Sequence, residues 1–236
     1  MDQIIKTTGS ILLLGASLTL YGCFAIEDDI NMVCNSNCTI IQGKFTTENG
    51  QPIKNVSLEL DWNLPGPWLG GKIRKIKKGK TDENGDYKFN FYIEDKELTD
   101  GYYSVQFNLP DNSYITFENN KDFQFWGVKK RDTVIVGNYH IPRKGSQITL
   151  KIKNRETISG DDRLIISVSY KAGFNQHVSY GVGDLDSDKT SQVTFETAAN
   201  QYTFIQPSKI KNGQALHLLD SIVIPLGKVQ SYEIEF

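Results

Sequence analysis

The chain has 236 residues, 28 of them acidic and 26 basic, with a formal net charge of −2. So even a balance provides no global field to recruit nucleic acid, and the length suits one large or two small domains. Eleven Tyr and twelve Phe, with no sustained helical period after residue 22, predict an all-β chain.

The first predicted element is not a strand. An apolar run, Ile11–Leu20, follows Lys6 and ends in Leu20-Tyr21-Gly22-Cys23. About ten apolar residues are half of the ~20 that span a bilayer as a helix. A short apolar run behind a positive charge, ending in small residues, is a signal-peptide pattern. Leu20 to Cys23 resemble the lipobox of bacterial lipoproteins, with Tyr21 standing where small residues are commoner. That resemblance implies residues 1–22 as a signal peptide, cleavage before Cys23, and diacylglycerol on its thiol. The chain would then sit on a membrane without crossing it. The alternative is an ordinary secretory signal followed by a structural cysteine. Glu27-Asp28-Asp29 then resembles the surface-export signal of Bacteroidetes lipoproteins, which implies an outward-facing position on the outer membrane. The alternative there is a solvated acidic tether, and residues 23–38 are read as a tether in either case.

Cys34 and Cys38 are the remaining cysteines. Outside the cytoplasm an even pair is most simply a disulfide, here pinning the tether to the first strand. A metal site would need four ligands, and no second Cys or His cluster lies nearby.

From Thr39 the chain reads as strands and tight turns. Ile41-Gln42-Gly43-Lys44-Phe45 leads to a turn at Asn49-Gly50, then Pro52-Ile53-Lys54-Asn55-Val56 and the alternating strand Val56–Leu60. Further on, Thr81-Asp82-Glu83-Asn84-Gly85-Asp86-Tyr87-Lys88-Phe89 joins a turn to a strand. Asn-Gly pairs tolerate the positive φ of tight turns. Thr81 and Asp82 are placed to bond back to local amides. Tyr87, Phe89 and Phe91 share one face of a strand at period two. These motifs together resemble the carboxypeptidase-regulatory-like or transthyretin-like β-sandwich, over residues 39–110 with a continuation to 141. The remainder, 142–236, resembles no family. It reads as strands at Gln147–Lys153, Leu164–Tyr170, His177–Val182, Gln192–Glu196, Tyr202–Ile205, Ser221–Ile224 and Gln230–Phe236, spaced as in a second β-sandwich. One larger β domain is the alternative.

Candidate sites are few. Trp62-Asn63-Leu64-Pro65-Gly66-Pro67-Trp68 is a Pro- and Gly-rich stretch with two indoles, and Trp62 and Trp68 are the candidate ligand-binding residues, for a sugar ring or an envelope protein. Trp62 equally fits a core position, and Trp126 reads as core or sheet face. Lys72–Lys80 carries six positive charges, read as a solvated edge or loop against an anion-binding surface. Asp184-Leu185-Asp186-Ser187-Asp188 opens like a calcium loop. It then lacks the glycine and the glutamate that such a loop needs, so an acidic turn is preferred. His140, His177 and His217 are scattered, and no nucleophile elbow, zincin helix or phosphate loop is present. The hydroxyisourate hydrolases of the transthyretin-like fold carry a C-terminal Tyr-Arg-Gly-Ser, which this chain's Ser231–Phe236 lacks. The expectation is a non-enzymatic, lipid-anchored protein of binding or structural role, with no catalytic residue, metal or cofactor. Its partners are the membrane and a glycan or envelope protein. A surface hydrolase and a subunit of an adhesin, fimbrial or transport assembly are the alternatives.

Overall fold

A computed structural model describes residues 24–66, 70–115, 121–158, 160–174, 178–179 and 191–236. Cys23, Trp68, His177 and the Asp184–Asp188 loop lie outside the described residues, as does the signal segment 1–22. The protein is all-β, with seventeen strands among the described residues and two short 3-10 turns.

Seven strands and their turns build the first unit: β1 (Phe24–Asp28), β2 (Thr39–Thr46), β3 (Ser57–Pro65), β4 (Gly71–Lys80), β5 (Asp86–Phe91), β6 (Tyr102–Asn108) and β7 (Asp122–Trp126). One sheet runs β1-β4-β3-β6-β7, antiparallel except for the parallel pair β1–β4. Facing it are β2 and β5, with the short strands β8 (Val134–Val136) and β9 (Tyr139–His140) added to β2 in parallel. Period-two alternation points Leu58, Leu60, Trp62, Tyr103, Val105, Phe107, Phe123 and Phe125 inward against Ile41, Phe45, Tyr87, Phe89 and Tyr139. At about 25 cal/mol per Å2, a fully buried large side chain contributes about 1.5–3 kcal/mol, so this aromatic cluster dominates the unit's stability.

The spacing of the turn motifs has a physical basis. Thr81 Oγ1 accepts from Val56 N–H at 3.0 Å and donates to Ile53 C=O at 2.7 Å, joining the two motifs. Asp82 Oδ1 accepts from the amides of Asn84 and Asp86, and Gly85 follows at φ +73°. Gly43 is required by closeness: a Cβ there would meet the Gly137 carbonyl oxygen at 1.8 Å.

The second unit contains β10 (Ser146–Lys153), β11 (Arg163–Phe174), β12 (Val178–Ser179), β13 (Gln192–Thr197), β14 (Tyr202–Lys211), β15 (Gln214–His217), β16 (Asp220–Val223) and β17 (Val229–Glu235). A three-stranded sheet, β13-β10-β17, closes a second core with β11 and β14 around Ile148, Leu150, Leu164, Ile166, Val168, Ile205, Ile224 and Ile234. The strand expected over Tyr202–Ile205 runs on to Lys211 through Pro207. Pro207 C=O accepts from Leu218 N–H, so its missing N–H faces the break between β15 and β16, where no ladder bond is lost. β9 pairs with both β2 and β11, splicing strands of the two units into one nine-stranded sheet.

The segment read as a tether is folded. Phe24–Asp28 forms β1, with Phe24 opposite Gly71 and Asp28 opposite Lys75. Cys34 and Cys38 are disulfide-bonded, with Cα atoms 5.8 Å apart, directly before β2.

Candidate functional site

The basic run is β4, and β1 covers its open side from Gly71 to Lys75. Several of its charges are answered locally. Arg74 is buried and donates through Nη1 to both carboxylate oxygens of Glu97 at 2.8 Å and through Nε to Asp29 at 2.7 Å. Burial works against its charge, and the bonds to Glu97 and Asp29 more than offset that, so its pKa stands above the ordinary value. Tyr103 Oη donates to Glu97 as well. Lys75 and Lys78 meet Glu59. Lys96 reaches Glu27 at 2.8 Å. Asp29 and Arg74, 45 residues on in the basic strand, are therefore partners in one network with Glu97, and the reading of a solvated acidic tether fails for Asp29, while Glu27 stays exposed with Lys96 beside it.

Of the two readings of Trp62 the core position holds, and Trp126 lies on a sheet face. Trp62 is 1 % exposed, bonds Asp100 C=O through Nε1 at 3.1 Å, and is no surface contact. Trp126 is 64 % exposed. Its ring stacks on Tyr102, centroids 4.3 Å apart, and Nε1 donates to Gln124 Oε1 at 3.1 Å.

On the outer face of the first sheet the register lines up three cross-strand rows. They are Asn63–Tyr102–Trp126, then Asp61–Ser104–Gln124, then Glu59–Gln106–Asp122. Asn63 Nδ2 donates to Ser104 Oγ at 2.9 Å, and Gln106 Nε2 donates to Asp61 Oδ2 at 3.2 Å. Asp61 is 3 % exposed, and its Oδ1 has no hydrogen-bond partner. Burial, reinforced by Glu59 and opposed by Lys75 and Lys78, pushes its pKa up to about 6.

At the junction of the two units a cleft of about 470 Å3 is lined by Thr47, Glu48, His140, Lys171, Gln201, Tyr202 and Val223. His140 is buried and its pKa is lowered by desolvation. Glu48, which lies beside it, is held by Arg143 at 2.8 Å. Among the described residues no group of three or more His, Cys, Asp or Glu is arranged to hold a metal, and no helix is long and apolar enough to cross a membrane.

The remaining feature is an edge. β15 and β16 succeed each other along β14, and every residue from Lys211 to Ser221 is exposed. Leu216 is 53 % and Leu219 67 % exposed, with Leu218 and Val223 also open. Asn212 and Gly213, both at positive φ, make the hairpin turn into this edge. That Asn-Gly pair is the sequence signal that would have located β15.

No protein-family model matches the chain, and no curated protein matches it in sequence. Among solved structures it is similar to the Bacillus anthracis TIE protein, at 14 % identity, TM-score 0.34, over 84 % of this chain and 34 % of that one. It is also similar to a streptococcal ancillary pilin, at 12 % identity, TM-score 0.31, over 86 % of this chain and 63 % of that one. A third is the shaft pilin spaA of Lactobacillus rhamnosus GG, at 12 % identity, TM-score 0.32, over 84 % and 98 %. The chain thus spans about a third of the first and just under two thirds of the second. Overlaps at this level carry no functional information. The chain is an all-β protein of more than one β domain.

Proposed function

We propose that this protein is a non-enzymatic, structural component of a bacterial cell surface, held at a membrane by lipid on Cys23 and joined to another chain through the β15–β16 edge. The edge carries the reading. An exposed strand with open N–H and C=O groups is a template for β-strand addition, and monomeric proteins blunt such edges with lysine, proline or a covering loop. This edge presents leucines instead. The sequence around Cys23 supports the anchor, and the acidic residues behind it support outward display on an outer membrane. The clustered motifs at Gly43, Thr81 and Gly85 support a carboxypeptidase-regulatory-like first domain over 39–141, and the two separate cores support a second domain over 142–236.

Two measurements test the two halves separately. Cys23→Ala should move the protein from the membrane pellet to the soluble fraction, and retention in the pellet refutes the anchor. A photo-reactive benzoylphenylalanine at position 219 should give a discrete cross-linked species on intact cells. That species should disappear when Leu216→Lys and Val223→Lys are added. A protein that stays uncross-linked refutes the assembly role.

A further inference from the structure

We infer that the outer face of the β3-β6-β7 sheet is a binding site for a neutral, hydroxyl-rich glycan, with Trp126 as the stacking platform and Asp61, Asn63, Gln106 and Gln124 as its polar contacts. This site lies on the first unit. It is independent of both the anchor at Cys23 and the edge at β15–β16.

Three observations converge on it. The first is the indole. A tryptophan exposed to 64 % on a flat sheet, held in one orientation by the Tyr102 stack and the Gln124 bond, exposes an apolar plate with its tilt fixed. Apolar C–H faces of a pyranose ring stack on such a plate, and a fixed ring loses little conformational freedom when they do.

The second is the set of groups beside it. Adjacent strands lie about 4.8 Å apart, close to the width of a sugar ring; the three rows set Gln124 on the strand of the plate, Ser104 and Gln106 one strand away and Asn63 two strands away, so the polar groups extend outward from the plate across the same face. Side-chain amides offer a donor and an acceptor together, which matches the paired hydroxyls of a sugar. Glu59 is already occupied by Lys75 and Lys78. The face therefore presents little net charge, and a polyanionic ligand has no cluster of free cations to meet.

The third is Asp61. A carboxylate 97 % buried, as its 3 % exposure implies, with one oxygen unpartnered, is costly unless something completes it. The strand alternation that turns Leu60 and Trp62 into the core aims Asp61 at the outer face, beside Gln106, which is exposed and able to swing aside. A sugar hydroxyl donates a hydrogen bond, which is what Oδ1 lacks. Charge-assisted bonds of that kind are the strong ones.

The test uses the full-length protein in detergent against immobilised laminarin, xyloglucan, galactomannan and dextran, with polygalacturonate as the charged control, read by biolayer interferometry. At least one neutral polysaccharide should bind. Trp126→Ala should weaken that binding roughly tenfold or more, Trp126→Phe should restore part of it, and Asp61→Asn should weaken it without loss of fold. Tyr202→Ala, an exposed ring on the other unit, should leave it unchanged. Trp126 is exposed, so its removal spares the core; melting temperatures of the two Trp126 variants equal to that of the unaltered protein confirm this. Binding to none of the four neutral probes, binding to polygalacturonate alone, or binding that survives both Trp126→Ala and Asp61→Asn overturns the inference.

Discussion

Replacing Asp61 by asparagine should make the protein more stable at neutral pH, and the gain should depend on pH in a defined way. An unfolded aspartate titrates near 3.8, and Asp61 in the fold near 6. Between these values the folded protein holds a proton that the unfolded chain has released, so stability falls as pH rises through this window and is level above it. The displacement is equivalent to about 3 kcal/mol of penalty at pH 7. Asparagine is isosteric and removes the charge; Gln106, by turning its amide, can still bond it. Its own buried amide is not fully satisfied, which costs about 1 kcal/mol. The net expectation at pH 7.5 is a gain of about 1–3 kcal/mol by urea unfolding, shrinking toward zero at pH 4. A difference that is flat with pH, or a variant less stable at pH 7.5, refutes the assignment of a strained carboxylate to this position. The same substitution is expected to weaken glycan binding. Gain of stability with loss of function is the behaviour of a residue kept for its ligand and not for the fold.

Three further outcomes follow from the same geometry. Arg74→Met leaves Glu97 and Asp29 without their cation, and should cost about 3–5 kcal/mol in urea unfolding; hydrogen exchange should show loss of protection at Asp29, whose amide bonds Lys75 C=O, and unchanged protection there would contradict the network. Gly101→Ala forces a side chain into φ +82° with its Cβ 2.5 Å from Asn63 C=O and 2.6 Å from Trp62 Nε1, and should lower stability by about 2 kcal/mol or more, while an unshifted thermal midpoint would show that the β3–β6 connection yields. His140 is held below the ordinary 6.5 by burial, an effect opposed by Gln201 and Glu48 and assisted by Lys171; stability from its neutral form is complete above pH 6.5 and is lost as pH falls below it, so His140→Asn should flatten the stability profile between pH 7 and 5.

The parts of this fold that are readable in sequence are those fixed by neighbours along the chain. Tyr87, Phe89 and Phe91 alternate into the core as period two requires, and the Thr81–Gly85 turn closes on its own Asp82. The tryptophans were sortable by the same rule. Trp62 is in phase with Leu58 and Leu60, and Trp126 is out of phase with Phe123 and Phe125, so one is core and the other surface. Proximity to Pro and Gly residues was the weaker signal, and it pointed to Trp62 and Trp68 together.

The parts that are not readable depend on a partner far away in sequence. Six positive charges in nine residues look like a solvated stretch until β1 is laid beside them, and only then does Arg74 become a buried group with Asp29 and Glu97 around it. The consequence reaches function. With Phe24 already paired to Gly71, a lipid on Cys23 would enter the sheet with no free residue between them. Such an attachment fixes the first unit's orientation at the membrane, whereas a flexible linker would let it sample many. The row that carries Trp126 crosses the sheet at Asn63, opposite Ile73, two residues along β4 from Gly71. A lipid at Cys23 and the stacking platform proposed at Trp126 would thus belong to the same end of one sheet, and the β15–β16 edge belongs to the other unit, which would leave both surfaces available at once.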